Sequence, residues 1–300
     1  MNVANQKIDL PLLDEKGISL FVKREDTIHP LISGNKYRKL KYNIQEAKKK
    51  SVSTLLTFGG AYSNHIAATA CAGKEQELKT IGVIRGEELV GKWRANPTLK
   101  LAKEHGMRFH FVSRENYRKK EAPEFLKALK KKFGDFYLIP EGGTNELAVK
   151  GCKEILNAKD VNFDIICSCV GTGGTLAGLI NAARPNQTVL GFPALKGDFL
   201  KNDIRKFAQN ENWELISDYH FGGYAKFTAE LVNFVSDFKV QTEIPLEPIY
   251  TGKLFYGLLD LISKDYFKKG TKILAIHSGG LQGISGMNIV LKEKNLPQLK

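Results

Sequence analysis

Lys36 is the residue on which chemistry is most readily built in this sequence. It follows Ser33-Gly34-Asn35, with Pro30 just upstream, and precedes Tyr37-Arg38-Lys39-Leu40. The proline and the small polar trio end one segment and begin another, so the pattern predicts Lys36 at the mouth of a helix over residues 36–47. A helix N-terminus carries partial positive charge, which favours the neutral, nucleophilic form of an amine. Gly34 lets a flat ligand come close to the backbone. A solvated lysine on a basic helix would look the same locally, and the rest of the chain must decide.

A second element is the run Val170-Gly171-Thr172-Gly173-Gly174-Thr175-Leu176, directly after an apolar strand and opening a helix. Glycines there free backbone N–H groups to converge on an anion, and the helix dipole adds to the attraction. The plain alternative is a glycine turn that lets strand and helix pack. A Walker loop would end in Gly-Lys-Ser/Thr, where this chain has Leu176-Ala177. A dinucleotide fingerprint would want glycine in place of Leu176 and an acid closing the next strand, which instead ends Gly191-Phe192-Pro193-Ala194. A phosphate monoester without a nucleotide remains. Pyridoxal phosphate fits, and it demands a lysine.

Other junctions carry polar groups. Ser63-Asn64-His65 follows Phe58-Gly59-Gly60 at a helix start. Ser63 and the amides there suit a substrate carboxylate and Asn64 a cofactor ring oxygen, although both residues are also ordinary helix caps. His65 reads equally as packing under the loop or as a catalytic group. Ile276-His277-Ser278-Gly279-Gly280 closes the last strand, and Glu141-Gly142-Gly143-Thr144-Asn145 turns into another helix. Thr251 reads as a helix cap and Tyr224 as a loop aromatic.

The elements that must position these groups alternate regularly. Short strands are predicted near residues 18–23, 54–58, 80–84, 108–112, 136–139, 163–170, 188–192 and 272–276. Helices are predicted over 64–76, 97–104, 123–132, 145–157, 174–183, 227–238 and 254–267. This is an α/β pattern of parallel sheets covered on both faces, whose ligands sit beyond the carboxyl ends of strands. Cys167 and Cys169 should share one face of their strand.

Composition narrows the functional classes. With 300 residues and 42% hydrophobic content the chain can bury a large core. No apolar run is long enough to span a membrane and the N-terminus lacks a signal-peptide core, which gives a cytoplasmic expectation. The four cysteines have no metal-ligand spacing with histidine. A net charge of +13 raises nucleic acid as a partner, but the lysines are dispersed over helix faces without aromatic interleaving. Attraction of small anionic ligands is the milder consequence.

Taken in order, Ser33-Gly34-Asn35-Lys36, Ser63-Asn64-His65, Gly171-Thr172-Gly173-Gly174-Thr175 and Tyr250-Thr251-Gly252-Lys253 closely resemble the motifs of the 1-aminocyclopropane-1-carboxylate (ACC) deaminase and D-cysteine desulfhydrase family. The resemblance covers nearly the whole chain. It implies a tryptophan-synthase-β-like, fold type II pyridoxal phosphate enzyme with two open, twisted, mostly parallel sheets flanked by helices. It implies a large cofactor domain from residues 1–45 and 143–300, with a smaller domain, 46–142, inserted and able to close over substrate. Lys36 then binds the cofactor covalently and Asn64 its ring oxygen, while Gly171, Thr172, Gly173, Gly174 and Thr175 hold its phosphate. Ser63 faces the substrate carboxylate, Tyr224 and Tyr250 match two active-site tyrosines, and a homodimer is expected.

Departures bear on the substrate. Ring-opening deaminases resemble Tyr-Glu-Gly-Lys at the fourth motif, with the glutamate on the pyridine nitrogen, and Ser-Asn-Gln at the second. Thr251 and His65 place this chain nearer the desulfhydrases. A threonine leaves the pyridine largely neutral, a weaker electron sink that suits loss of a good β-leaving group. The loop Phe221-Gly222-Gly223-Tyr224-Ala225-Lys226 lacks the Gly-Tyr-Gly and proline usual in desulfhydrases. The expectation is therefore conversion of D-cysteine to pyruvate, sulfide and ammonia. Deamination of ACC to 2-oxobutyrate and a catalytically silent cofactor-binding protein are the alternatives.

Overall fold

The computed structural model describes residues 3–299. Ten strands form two sheets: β1 (Asn5–Ile8), β2 (Ser19–Lys23), β3 (Thr54–Gly59), β4 (Lys79–Arg85), β5 (Arg108–Val112), β6 (Tyr137–Ile139), β7 (Ile165–Val170), β8 (Thr188–Pro193), β9 (Trp213–Leu215) and β10 (Lys272–Ile276). The larger sheet has the order β1-β2-β10-β7-β8-β9 and the smaller β5-β4-β3-β6. Among the described residues only the β1–β2 pair is antiparallel. The two mostly parallel sheets flanked by helices are the fold type II architecture.

Burial explains the strands. In β7 and β8 every residue after the first is buried, as expected of strands covered on both faces. Alternate residues feed different cores. Ile273 and Ala275 of β10 pack on one side with Leu20, Val22 and Phe255, while Leu274 and Ile276 pack on the other with Ile166, Val170 and Leu179. Cys167 and Cys169 both join the first of these cores.

Three helices bring distant segments together. The Asn35–Lys49 helix lies against Glu146–Lys153, and that against Gly174–Ala182. A Cβ on Gly151 would fall 2.0 Å from the Arg38 carbonyl oxygen, and one on Gly178 would fall 2.4 Å from Cys152 Cβ. Glycine therefore permits backbones to touch and sets the Lys36 helix beside the 171–175 loop. A buried bidentate pair, Arg38 to Glu25 at 2.8 and 2.9 Å, locks that helix to the segment after β2.

Several boundaries differ from the sequence reading. The helix expected over 145–157 ends at Lys153, with Asn145 as its cap. The helix expected over 227–238 is Ala229–Thr242, capped by Thr228, and that over 254–267 is Thr251–Ser263. The short strands β1 and β9 and the Ile284–Glu293 helix were not foreseen; this last helix follows Gly283 and has no side-chain cap to signal its start.

Candidate active site

The carboxyl ends of β3, β4, β7 and β10 open onto one cavity of about 800 Å³, lined from both sheets. Lys36, the second residue of its helix, lies in it. The helix start docks on the loop after β10: Asn35 N donates to the Ser278 carbonyl at 3.0 Å. Gly34 has φ +63°, and a Cβ there would sit 1.8 Å from that same oxygen. No other residue fits this crossing. Lys36 Nζ donates to Asn35 Oδ1 at 3.3 Å, and Asn35 Nδ2 donates to Thr175 Oγ1 at 2.8 Å. Burial lowers the Lys36 amine from its ordinary pKa, which raises the free-base fraction near neutrality.

The 171–175 loop meets a second lysine that the sequence reading passed over. Lys39, one helical turn past Lys36, is buried and donates to the Gly142 carbonyl at 2.9 Å, Thr144 Oγ1 at 3.0 Å and Thr172 Oγ1 at 3.3 Å. Among the described residues no carboxylate neutralises it. Burial, aided by repulsion from Lys36, pushes its pKa down to about 7. Its three-residue spacing from Lys36 on one helix face was the available signal. Thr172, Gly173 and Thr175 line the cavity together with Gly171. Gly174 does not line it; it backs onto Thr144, whose atoms lie 2.8 Å from a Cβ placed there. Thr172 and Lys39 thus lie beside the N-terminus of the Gly174–Ala182 helix, a geometry chemically suited to an anion.

Ser63 caps the Asn64–Glu75 helix, its Oγ accepting from Ile66 N at 3.3 Å, and also lines the cavity. Asn64 lines it too, with Oδ1 buried and unpartnered. His65 is packed under the loop, and it also lines the cavity. Thr57 Oγ1 donates its one hydrogen to the Ile139 carbonyl at 2.9 Å, with the Pro140 carbonyl at 3.5 Å, so its 2.8 Å contact with His65 Nε2 accepts an Nε2–H. Nδ1 is then a lone-pair site, buried without a partner. Burial and the two lysines hold His65 well below its ordinary pKa, and so neutral.

Tyr224 and Tyr250 face each other with ring centroids 6.2 Å apart. Tyr224 stays 45% exposed at the cavity mouth; both phenols are raised from their ordinary pKa, Tyr250 most strongly through its burial, so both stay protonated. Lys253 explains part of the fourth motif: its buried Nζ donates to the His220 and Gly223 carbonyls, each at 2.8 Å, and so staples the loop that carries Tyr224. Thr251 lies behind the cavity wall. Its hydroxyl is engaged with Glu247, whose carboxylate accepts from Ile249 N, Tyr250 N and Thr251 N at 2.7–2.8 Å and does line the cavity. Glu247 and Ser278 thus join the site as residues not singled out from sequence.

The donor set suits pyridoxal phosphate: an amine of lowered pKa, a helix terminus suited to an anion, and the orphaned amide oxygen of Asn64 in the same cavity. Comparison with known proteins agrees. Residues 5–279 match the family described as "Pyridoxal-phosphate dependent enzyme". The chain belongs to this family. The enzyme is 34% identical over 287 residues to a "Putative 1-aminocyclopropane-1-carboxylate deaminase" of Pyrococcus horikoshii, covering 90% of this chain and 86% of that one. It is 33% identical over 295 residues to the "Bifunctional D-cysteine desulfhydrase/1-aminocyclopropane-1-carboxylate deaminase, mitochondrial" of Arabidopsis thaliana, covering 89% and 74%. A crystal structure of an ACC deaminase homologue superposes with TM-score 0.84 at 30% identity, over 98% of this chain and 94% of that one. Among the described residues there is no cluster able to hold a metal ion and no helix long and apolar enough to cross a membrane.

Proposed function

We propose that the enzyme removes a β-substituent from a small amino acid, with D-cysteine giving pyruvate, sulfide and ammonia. The observation that carries this reading is the convergence of Lys36, Ser63-Asn64, the 171–175 loop and the Tyr224–Tyr250 pair on one cavity. Bound pyridoxal phosphate supplies an electron sink for the pair left at the substrate Cα. Lys36 holds the cofactor, and its amine, lowered in pKa by burial, takes the Cα proton. Thr172, Thr175 and Lys39 hold the phosphate, and Asn64 the cofactor ring oxygen. Ser63 and the amides after it orient the substrate carboxylate. The protonated tyrosines donate towards the leaving group and shield it from water. Residues 46–142 act as the inserted unit that closes over substrate, and the assembly is a homodimer.

Ring-opening deamination of ACC is the second reading, favoured by the names of the Pyrococcus relative and of the superposed crystal structure. Thr251, where the ring-opening pattern has an acid, favours elimination. The deciding experiment sets pyruvate release from D-cysteine against 2-oxobutyrate release from ACC. Borohydride treatment should place a pyridoxyl mass on Lys36; protein that takes up no cofactor would sink the proposal, and protein that takes it up without turning over any amino acid is a silent binder.

A further inference from the structure

One cation in the cavity has no part in this chemistry. Lys36, Lys39, Arg85 and Arg114 all line it. Lys36 and Lys39 have the roles given above. Arg114 Nη2 pairs with Glu88 Oε1 at 3.1 Å. Arg85, the last residue of β4, is exposed, and its guanidinium has neither a carboxylate at ion-pair distance nor a hydrogen-bond partner among the described residues. Its guanidinium nevertheless has a defined seat. It lies over the Tyr117 ring, 5.6 Å from the centroid, and Nη2 is 3.5 Å from the Cβ position that Gly60 leaves open. Gly60 begins the turn into Ser63-Asn64, and the positive charge also acts on the Tyr224 phenol, partly offsetting the rise in its pKa. The carboxylates of the cavity are engaged elsewhere. Glu88 holds Arg114; Glu141 accepts from Tyr117 Oη at 2.7 Å and pairs with Lys120 at 3.3 Å; Glu247 is taken up by backbone amides.

An unpaired guanidinium at the carboxyl edge of a parallel sheet, facing a ligand cavity, is a fork-shaped receptor for oxyanions. The α-carboxylate already has a receptor in the Ser63 turn. We propose that Arg85 receives a second acidic group beyond the substrate Cβ, so that the enzyme acts on amino acids whose β-substituent is itself an oxyanion, a sulfonate or a phosphate. This rests on the elimination reading above and specifies its substrate class. In the reaction the Cα–H bond gives its proton to Lys36, and the Cβ–X bond breaks with its electron pair leaving on X. For cysteate, cysteate and water give pyruvate, ammonium and hydrogensulfite. The guanidinium pairs with the oxyanion that the bound substrate already carries, an interaction that a thiol or chloride substituent does not offer.

The test uses the holoenzyme and its R85Q and R85K variants, with both enantiomers of a neutral set (cysteine, β-chloroalanine) and an anionic set (cysteate, O-phosphoserine). Wild type should release pyruvate from an anionic substrate. R85Q should lose about tenfold to a hundredfold in kcat/KM on that set, as expected for a charged hydrogen bond. It should stay within about threefold on the neutral set, a barrier change below 1 kcal/mol. R85K should recover part of the loss. Equal losses on both sets, or none on the anionic set, overturn the proposal. Turnover confined to neutral substrates overturns it while leaving the elimination reading intact; no turnover of either set, in protein that carries the borohydride-trapped cofactor, overturns both.

Discussion

Replacing Lys39 with methionine tests the electrostatics of the site without any assay of catalysis. Burial brings the Lys39 amine down from 10.5 to about 7. Between those values the unfolded chain holds a proton that the folded chain has released, so stability rises with pH across the window. Below about pH 7 both states are charged and the whole penalty stands. Each pH unit is worth about 1.4 kcal/mol, which makes the penalty about 5 kcal/mol. Methionine keeps the apolar stem and removes the charge, together with the bonds to Gly142, Thr144 and Thr172. The two threonine hydroxyls, 2.6 Å apart, satisfy each other. The Gly142 carbonyl is left bare at a cost of about 1–3 kcal/mol. The variant should therefore be more stable than wild type by about 2–4 kcal/mol at pH 6.5 and less stable by about 1–3 kcal/mol at pH 10.5, crossing between. Urea unfolding of cofactor-free protein at several pH values reads this directly, and taking the difference between the two proteins cancels every group they share. Lys36 contributes to the low Lys39 value, so it stays in place. A wild-type-minus-variant difference that is flat from pH 6.5 to 10 would refute the buried, unneutralised ammonium.

Lys36→Ala should abolish the borohydride-trapped pyridoxyl mass and lower turnover by at least about 10²–10⁴; an equal mass found on Lys39 instead would reverse the roles given to the two lysines. Arg38→Ala strands the buried Glu25 carboxylate and should cost about 3–5 kcal/mol in urea unfolding, with Glu25→Gln/Arg38→Met recovering much of it. Thr57→Val removes the acceptor for His65 Nε2–H and should cost about 1–3 kcal/mol. NMR of the His65 ring nitrogens should then show the loss of a single fixed tautomer; an unchanged spectrum would place the proton on Nδ1 in the native protein.

What could be read from the sequence had local signals. Apolar runs that stay apolar on both faces marked β3, β4, β7, β8 and β10, because parallel strands are covered twice. The glycines of 171–175 stood out because an anion cradle needs bare backbone. Lys39 had no such signal. In the string Lys36-Tyr37-Arg38-Lys39 it is one cation among several, and its burial arises only when Gly142, Thr144 and Thr172 fold over it from more than a hundred residues away. Ser278 and Glu247 were hidden for the same reason. Ser278 sits in a segment flagged as a polar junction and Glu247 three residues before the fourth motif, yet only the insertion of β10 between β2 and β7 and the start of the Thr251–Ser263 helix bring them to the cavity wall. Lys253 belonged to a recognised motif without an evident task until its staple across the 220–223 loop could be seen.

Thr251 shows how that long-range information bears on substrate. Considered alone, a threonine in place of an acid means a weaker partner for a ring nitrogen. In the folded chain its hydroxyl is not free: it accepts from Glu247 N at 3.0 Å and lies 3.3 Å from Glu247 Oε1. A carboxylate is thus present at this end of the cavity after all, four residues earlier in the chain. Its oxygens are committed to three backbone amides, and those amides open the Thr251–Ser263 helix, so turning Glu247 outward would strip a helix start of its acceptors. Burial also raises its pKa, further weakening it as a fixed negative charge. A group facing this wall therefore meets neither the strong anion that ring opening draws on nor a hydroxyl proton free of competition. The demand on the leaving group rises accordingly. A leaving group that is itself a sulfonate or phosphate meets that demand, and the Arg85 guanidinium, unpaired in the cavity, is placed to receive its oxyanion.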